Sequence, residues 1–211
     1  MKINQIRKDI LQKTKSYVVK NGWSDDLFNK TVKSSKYTAE EVTALFPEGH
    51  KALLQIYLDE INDEMTKAAK ISALTKLRVH KKIREIIILR LKVMQKEKKL
   101  ISRTFMYLLL PKNKNIAFRN LYKMVDQVWF LAGDNSTDYN FYSKRIILAS
   151  VYIQTMIHFV NNENIDETIL VLDKKLKRVS KIPKFKEKAN NIIKFIPKVL
   201  KLGKTLSIFK Q

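Results

Sequence analysis

The sequence contains no cysteine, which excludes disulfide bonds, thiolate nucleophiles and cysteine metal sites. Its three histidines, His50, His80 and His158, are scattered, and neither an HExxH nor an ExxH spacing offers a pair of metal ligands. The four glycines lie far apart, so the sequence has no phosphate-binding loop, and it has no Gly-x-Ser-x-Gly nucleophile turn. These absences predict a protein that is not an enzyme and has no catalytic residue, metal or cofactor.

Long uncharged apolar segments are also scarce. The segment Ile146 to Val160 is shorter than the roughly 20 residues that a helix needs to cross a bilayer. The N-terminus lacks the continuous apolar segment of a secretory signal, and it enters a helical pattern with acidic residues, unlike a transit peptide. We therefore expect a cytoplasmic protein without a targeting peptide or a membrane-spanning segment.

Positive charge, by contrast, is plentiful. The 42 lysines and arginines exceed the 20 acidic residues, which gives a formal net charge of +22. Such an excess is typical of proteins that meet nucleic acid or an anionic membrane surface. Lysine greatly outnumbers arginine, however, although bidentate recognition of phosphates and bases favours arginine. The charge alone leaves two interpretations open, a recognition surface or a solvated background.

The chain reads as helical throughout, because prolines and glycines are few and no sustained alternation of apolar and polar residues predicts a strand. A first helix should stop at Asn21-Gly22, and Ser24 should cap the second. Thr38 and Glu41 have the spacing of a capping box that opens a short third helix. Further helices are expected at residues 50–71, 75–98, 100–110, 115–132, 138–161 and 166–180.

The pattern changes after Pro183. Apolar residues recur there at spacings of three and four, and lysines occupy most of the other faces, which predicts a basic amphipathic helix over residues 183–211. Such a helix suits an anionic membrane surface, although packing on its own domain or on a second subunit would also cover its apolar face. The residues expected to contact the membrane are Ile192, Ile196, Val199 and Leu206 with Lys194, Lys198 and Lys201.

The start of the chain has a recognisable helix order. A helix, the pair Gly22-Trp23, two short capped helices, the pair Phe46-Pro47 and a long helix together resemble the three-helix head of TetR-type regulators. The resemblance implies an all-α, TetR-like helical bundle. Its head would comprise residues 1–50, and its ligand-binding body residues 51–182.

A second motif lies between Trp129 and Tyr152, where WFLAGDNSTDYNFYSKR places Gly133, four capping-type residues and several aromatic rings around one helix start. It is similar to the pattern W-x-Y-A-G-D-x-S-T-D-F-N-W-Y-T-x-R of the lipid-binding accessory family of ubiquinone biosynthesis, the "coenzyme Q nine" group. Phe141 stands where that family usually has Trp. The matching residues are Trp129, Ala132, Gly133, Asp134, Ser136, Thr137, Asp138, Asn140, Tyr142 and Arg145.

This resemblance implies a homodimeric, non-catalytic protein that is peripheral on the inner face of a bacterial membrane. It would take an isoprenoid quinone precursor or a phospholipid and present it to the di-iron hydroxylase that acts on demethoxyubiquinone. By the same resemblance Arg145 contacts a phospholipid, and Asp138, Phe141 and Tyr142 dock the hydroxylase. Two apolar runs, Phe105 to Leu110 and Ile146 to Val160, could wall the ligand cavity or simply fill a packed core.

The alternative is a TetR-type regulator that responds to a ligand and binds DNA. The helix expected from Thr38 to Phe46 would then read the major groove, but it offers Glu40 and Glu41 and no Arg, Lys, Asn or Gln. Base edges are read mainly by those four residue types, and carboxylates are repelled by phosphate. We therefore expect lipid binding rather than DNA binding.

Overall fold

The computed structural model describes residues 2–72, 74–134 and 139–180 of the chain. Over these residues the backbone is helical, without strands, as the sequence predicts, and a 3-10 turn spans Pro111–Asn113. The helices are α1 (Lys2–Asn21), α2 (Asp25–Lys33), α3 (Ala39–Leu45), α4 (His50–Ile71), α5 (Val79–Gln95), α6 (Lys98–Leu109), α7 (Lys114–Ala132), α8 (Tyr139–Asn161) and α9 (Ile165–Ser180).

Side-chain caps start the two short helices of the head. The Ser24 side chain accepts a hydrogen bond from the Leu27 backbone N–H, which satisfies one free donor in the first turn of α2. At α3 the Thr38 hydroxyl accepts from the Glu41 N–H, and the Glu41 carboxylate accepts from the Thr38 N–H. The predicted capping box is therefore confirmed.

The boundaries of α5 and α6 differ slightly from the prediction. Helix α5 begins at Val79 rather than near residue 75, because Arg78 is extended and has no capping side chain. Helix α6 ends at Leu109, since Pro111 holds the preceding Leu110 in an extended conformation. Helix α4 has the predicted bounds.

Helices α1 to α3 form the head and are joined by polar contacts as well as by the core. The Tyr37 hydroxyl donates to Asp9 at 2.6 Å, and the Lys36 ammonium lies 2.8 Å from the same carboxylate. Lys36, with a further contribution from Tyr37, lowers the pKa of Asp9 to about 2. These contacts hold the loop after α2 against the first helix.

Buried polar contacts also connect the head to the body. The His50 ring lies 2.7 Å from a carboxylate oxygen of Asp25 and 2.8 Å from the Tyr107 hydroxyl, so it joins α2, α4 and α6. The Trp23 indole N–H donates to Thr104 of α6 at 3.0 Å. Buried polar groups need such partners, and these contacts set the position of α6 relative to the head.

In the body, α4, α5 and α7 pack around a continuous apolar core, and α8 and α9 pack beside them. The Arg84 guanidinium of α5 donates to both oxygens of Asp173 on α9, at 2.5 and 2.9 Å. None of the helices in the described part of the chain is long and apolar enough to cross a membrane. The predicted basic helix at 183–211, with all of its expected membrane contacts, lies outside the described residues.

Candidate functional site

The junction between α7 and α8 begins with a glycine that ends α7. Gly133 has φ 86°, in the left-handed region, and its N–H donates to the Phe130 carbonyl. The Asp134 N–H donates to the Trp129 carbonyl, which completes a Schellman motif. Gly133 therefore ends α7, and the motif turns the Asp134 side chain back toward α8.

Arg145 lies at the centre of this junction and is 5% exposed. Its Nε donates to Asp126 of α7 at 2.7 Å, and Nη1 donates to the Phe141 carbonyl at 3.1 Å. A second carboxylate, that of Asp134, lies 3.7 Å from Nη1. The guanidinium also stacks on the Phe141 ring, 3.3 Å from its centroid. Arg145 thus holds α7, the junction and α8 together.

Asp134 is shared between two cations. Its side chain is 7% exposed, and it accepts a hydrogen bond from the Lys144 ammonium at 2.7 Å while facing Arg145. The Lys144 ammonium also lies over the Trp129 ring, 5.3 Å from the centroid. The conspicuous Trp129 to Arg145 motif therefore builds an internal network of charges and aromatic rings.

The aromatic pair predicted to dock a partner is only partly exposed. Tyr142 is 36% exposed, and Phe141 is half-buried between Tyr142 and Arg145. The two rings meet edge to face, with centroids 5.1 Å apart. Of this pair, Tyr142 offers the larger surface to a partner. Asp138, the third predicted docking residue, lies outside the described residues.

A cavity of about 350 Å³ opens between α4, α5, α6, α7 and α8. Both apolar runs singled out in the sequence contribute to it, through Phe105, Leu108 and Leu109 on one side and Ile153 and Met156 on the other. Its volume falls at the lower end of the roughly 300–1,000 Å³ that is usual for ligand pockets. The volume of the cavity and the apolar side chains of its wall both suit an apolar ligand.

The cavity wall contains a buried cation that the sequence did not lead us to expect. Arg90 of α5 is 5% exposed and lines the cavity beside Asn62 and Tyr152. A signal was present in the sequence, since Arg90 follows Ile83, Ile86 and Ile87 at helical spacing and so falls on the apolar face of α5. Arg145, the arginine predicted to contact lipid, does not line this cavity.

The surface of α3 bears on the DNA-binding alternative. Glu40 is exposed, and Glu41 is half-buried and engaged in the capping box. The other exposed residues of α3 are Ala39, Thr43 and Ala44. This face lacks the charged and amide donors that read base edges in the major groove.

Among the described residues, no group of three His, Cys, Asp or Glu side chains is placed to hold a metal ion.

Curated proteins of ubiquinone biosynthesis are similar to this chain. The mitochondrial protein COQ9 of Bos taurus is 25% identical over 168 residues, and that of Homo sapiens is 24% identical over 168 residues. Both alignments cover 77% of this chain and 53% of the relative, so the chain spans about half the length of these proteins. A probable coq9 protein of Dictyostelium discoideum is 23% identical over 98% of the chain and 67% of its own length.

Among solved structures, the crystal structure of a TetR transcriptional regulator from Nitrosomonas europaea superposes with a TM-score of 0.69 at 15% identity. The superposition covers 84% of this chain and 99% of the regulator. The fold and its cavity therefore define a TetR-like helical protein. Residues 115–183, which include the Trp129 to Arg145 motif, match the COQ9 family model. Over those residues the chain is similar to the COQ9 family.

Proposed function

We propose that this protein binds a lipid for ubiquinone biosynthesis and presents it to the hydroxylase that acts on demethoxyubiquinone, without catalysing a reaction itself. The lipid is an isoprenoid quinone precursor or a phospholipid. The observation that carries the proposal is the apolar cavity of about 350 Å³ inside a TetR-like fold whose residues 115–183 match the COQ9 family model. An unfilled apolar cavity destabilises a fold because side chains lose packing contacts. A bound ligand restores those contacts and so accounts for the cavity.

The cavity mouth supports extraction of the lipid from a membrane. Leu109, Leu110, Phe118 and Ile153 line the cavity and are 56%, 43%, 62% and 36% exposed. Exposed apolar groups that continue a cavity wall provide a path on which a lipid chain avoids water. The protein would act while peripheral on the inner face of the membrane, held there by the basic segment 183–211.

Delivery to the hydroxylase can be tested in a reconstituted reaction with the hydroxylase of the same organism. Demethoxyubiquinone is placed in liposomes, and the hydroxylation rate is measured with and without this protein. We expect the protein to raise the rate several-fold. The variant Ala117→Phe, which places a ring in the cavity, should lose the effect, whereas Ala44→Phe on the exposed face of α3 should keep it.

An unchanged rate with the unsubstituted protein would contradict delivery to this hydroxylase. Equal stimulation by the wild-type protein and Ala117→Phe would mean that the cavity does not carry the lipid.

The structural likeness to a TetR regulator keeps DNA binding as a second candidate. With a net charge of +22, the chain is expected to bind DNA of any sequence weakly at low salt, so weak binding alone decides nothing. A regulator selects one sequence from a random duplex pool at about 150 mM salt. Helix α3 exposes Glu40 but no Arg, Lys, Asn or Gln that could contact base edges. We therefore expect no DNA sequence to be enriched from the pool.

A further inference from the structure

Arg90 is a buried cation in the wall of a mostly apolar cavity. Its neighbours on the wall include Leu58, Ile61 and Met94, each less than 10% exposed. A guanidinium keeps its charge in proteins, and burying a charge without compensation is costly. The position of Arg90 therefore requires a physical explanation.

No carboxylate of a described residue lies within 4.0 Å of Arg90, and in this respect it differs from Arg84 and Arg145. Arg84 is paired with Asp173 and Glu85, and Arg145 with Asp126 and Asp134. Arg90 has neutral partners only. Its guanidinium lies 5.7 Å from the centroid of the Tyr152 ring, and this contact offsets only part of the desolvation.

The hydrogen bonds of Arg90 leave donors in excess. Nε donates to the Tyr152 hydroxyl at 2.8 Å, and Nη1 donates to the Asn62 carbonyl oxygen at 2.6 Å. Nη1 also lies 3.9 Å from the Met65 sulfur, a weak acceptor. Nη2, with its two N–H groups, donates to no described residue. Two strong donors therefore have no acceptor among the described side chains.

Asn62 adds a second unused donor beside the first. Arginine has no acceptor atom, so the oxygen of the Asn62 amide must face Arg90 and its nitrogen must face away. That nitrogen donates to no described residue, although Asn62 is 6% exposed and lines the cavity. On this part of the wall, the described residues thus leave donors of Arg90 and Asn62 unmatched, and Arg90 carries a positive charge.

Other polar residues on the wall are already matched within the protein. The Thr104 hydroxyl accepts from Trp23 and donates to the Leu100 carbonyl, while Asn120 exchanges hydrogen bonds with the Gln55 amide. Among the buried polar residues of the wall, the unmatched donors therefore belong to Arg90 and Asn62, whereas Lys114 is exposed. It lies among buried residues, whereas the exposed wall residues Leu109 and Phe118 mark the mouth.

We infer that Arg90, assisted by Asn62 and Tyr152, binds the head group of the cavity lipid, and that this head group carries anionic oxygen. The inference rests on the proposed lipid binding, and not on the delivery of demethoxyubiquinone, whose quinone head is neutral. It adds the chemistry and the orientation of the ligand. The head enters first and accepts hydrogen bonds from Nη2 and the Asn62 amide. The chain then leads along the apolar wall toward the mouth. A carboxylate or a phosphate supplies the required oxygens.

A matched pair of probes tests the head-group preference. The neutral dye Nile red is bound to the protein and displaced by tetradecanoate or by tetradecanol, which have equal chain lengths and differ in the head. We expect the carboxylate to bind about 10- to 100-fold more tightly, the range for hydrogen bonds to charged groups. Arg90→Met should remove this preference while the alcohol still binds, and Arg90→Lys should keep part of it.

Lys114→Met is the control, because Lys114 is an exposed cation on the same cavity wall. Loss of the preference in that variant would place the anion at the rim and overturn the assignment to Arg90. Equal affinity of the unsubstituted protein for acid and alcohol would also overturn it, and this result needs no variant to fold. If neither probe displaces the dye, the proposed lipid binding fails instead.

Phosphate and carboxylate heads are distinguished in the same assay by lysophosphatidic acid with a tetradecanoyl chain. Tighter binding of this lipid than of tetradecanoate identifies a phospholipid-type ligand, and weaker binding identifies a carboxylate. Either order supports an anionic head, provided that Arg90→Met weakens the preferred lipid to the level of the alcohol. A preference that survives in Arg90→Met contradicts the inference.

Discussion

At the α7–α8 junction, the internal contacts of Arg145 bear directly on its predicted contact with a phospholipid. Arg145 is surrounded by Asp126, Asp134 and the Phe141 ring, and of the two carboxylates only that of Asp126 is well exposed, at 44%. A lipid phosphate could reach Arg145 by displacing Asp126, whereas Asp134 would stay in place with Lys144. The predicted phospholipid contact thus competes with an internal ion pair.

Replacement of Arg145 should destabilise the fold, and this effect must be measured before any loss of bound lipid is interpreted. We expect Arg145→Ala to lower the free energy of unfolding by about 3 kcal/mol, because the buried Asp134 loses one of its two cations. Arg145→Lys keeps a charge but loses the planar contact with Phe141, so it should cost less. Urea denaturation measures both effects.

The lipid role of Arg145 is tested in the same two variants. Phospholipid recovered per mole of folded protein should fall in both of them. If both variants carry as much phospholipid as the wild-type protein, Arg145 has a role in the fold but does not contact lipid.

Tyr142 is the better probe of the predicted docking surface, since Phe141 supports Arg145. Tyr142→Ala should weaken capture of the hydroxylase about tenfold or more, as exposed aromatic residues often dominate interface energies. Its melting temperature should fall less than that of Phe141→Ala, because Tyr142 is 36% exposed and does not contact the Arg145 guanidinium directly. Ile71→Ala removes an 87% exposed apolar side chain elsewhere and should leave capture unchanged. Equal capture by all three proteins would remove Tyr142 from the interface.

Helices and their ends were the most predictable level of the structure. Ser24, the Thr38–Glu41 capping box and Gly133 act locally, so a few residues suffice to place those boundaries. The start of α5 was misplaced because no capping side chain marks it. Within the apolar run Ile146 to Val160, Ile157 is 48% exposed, since it lies beside the open groove toward α9.

At the level of elements, the basic segment 183–211 carries the membrane prediction. A chain truncated after residue 182 should stay helical and no longer sediment with anionic liposomes, because it loses both apolar burial and lysine attraction. In the full chain, replacement of Lys194, Lys198 and Lys201 by Gln should remove the salt-sensitive part of binding only. If the truncated protein binds liposomes as well as the full chain does, the membrane contact lies elsewhere. If the truncated protein is unfolded, the segment is part of the core.

For the molecule as a whole, the fold could be predicted more fully than the cavity. The helix order of the head pointed to the TetR-like fold, the Trp129 to Arg145 motif pointed to the COQ9 family model that it matches, and the two apolar runs supplied cavity walls. The void itself could not be predicted, because interiors fill to similar density and a gap depends on how side chains from five helices meet. Arg90 was missed for a related reason, since its neutral partners Asn62 and Tyr152 come from distant parts of the chain.

The central claim is that the cavity between α4 and α8 holds a lipid, and mass spectrometry of lipid extracted from the purified protein tests it most directly. The wild-type protein should carry about one lipid per chain. Ala117→Phe, which fills the cavity, should carry little, and Ala44→Phe should match the wild type. The account is contradicted if the wild-type protein carries no lipid, or if a correctly folded Ala117→Phe carries as much as the wild type.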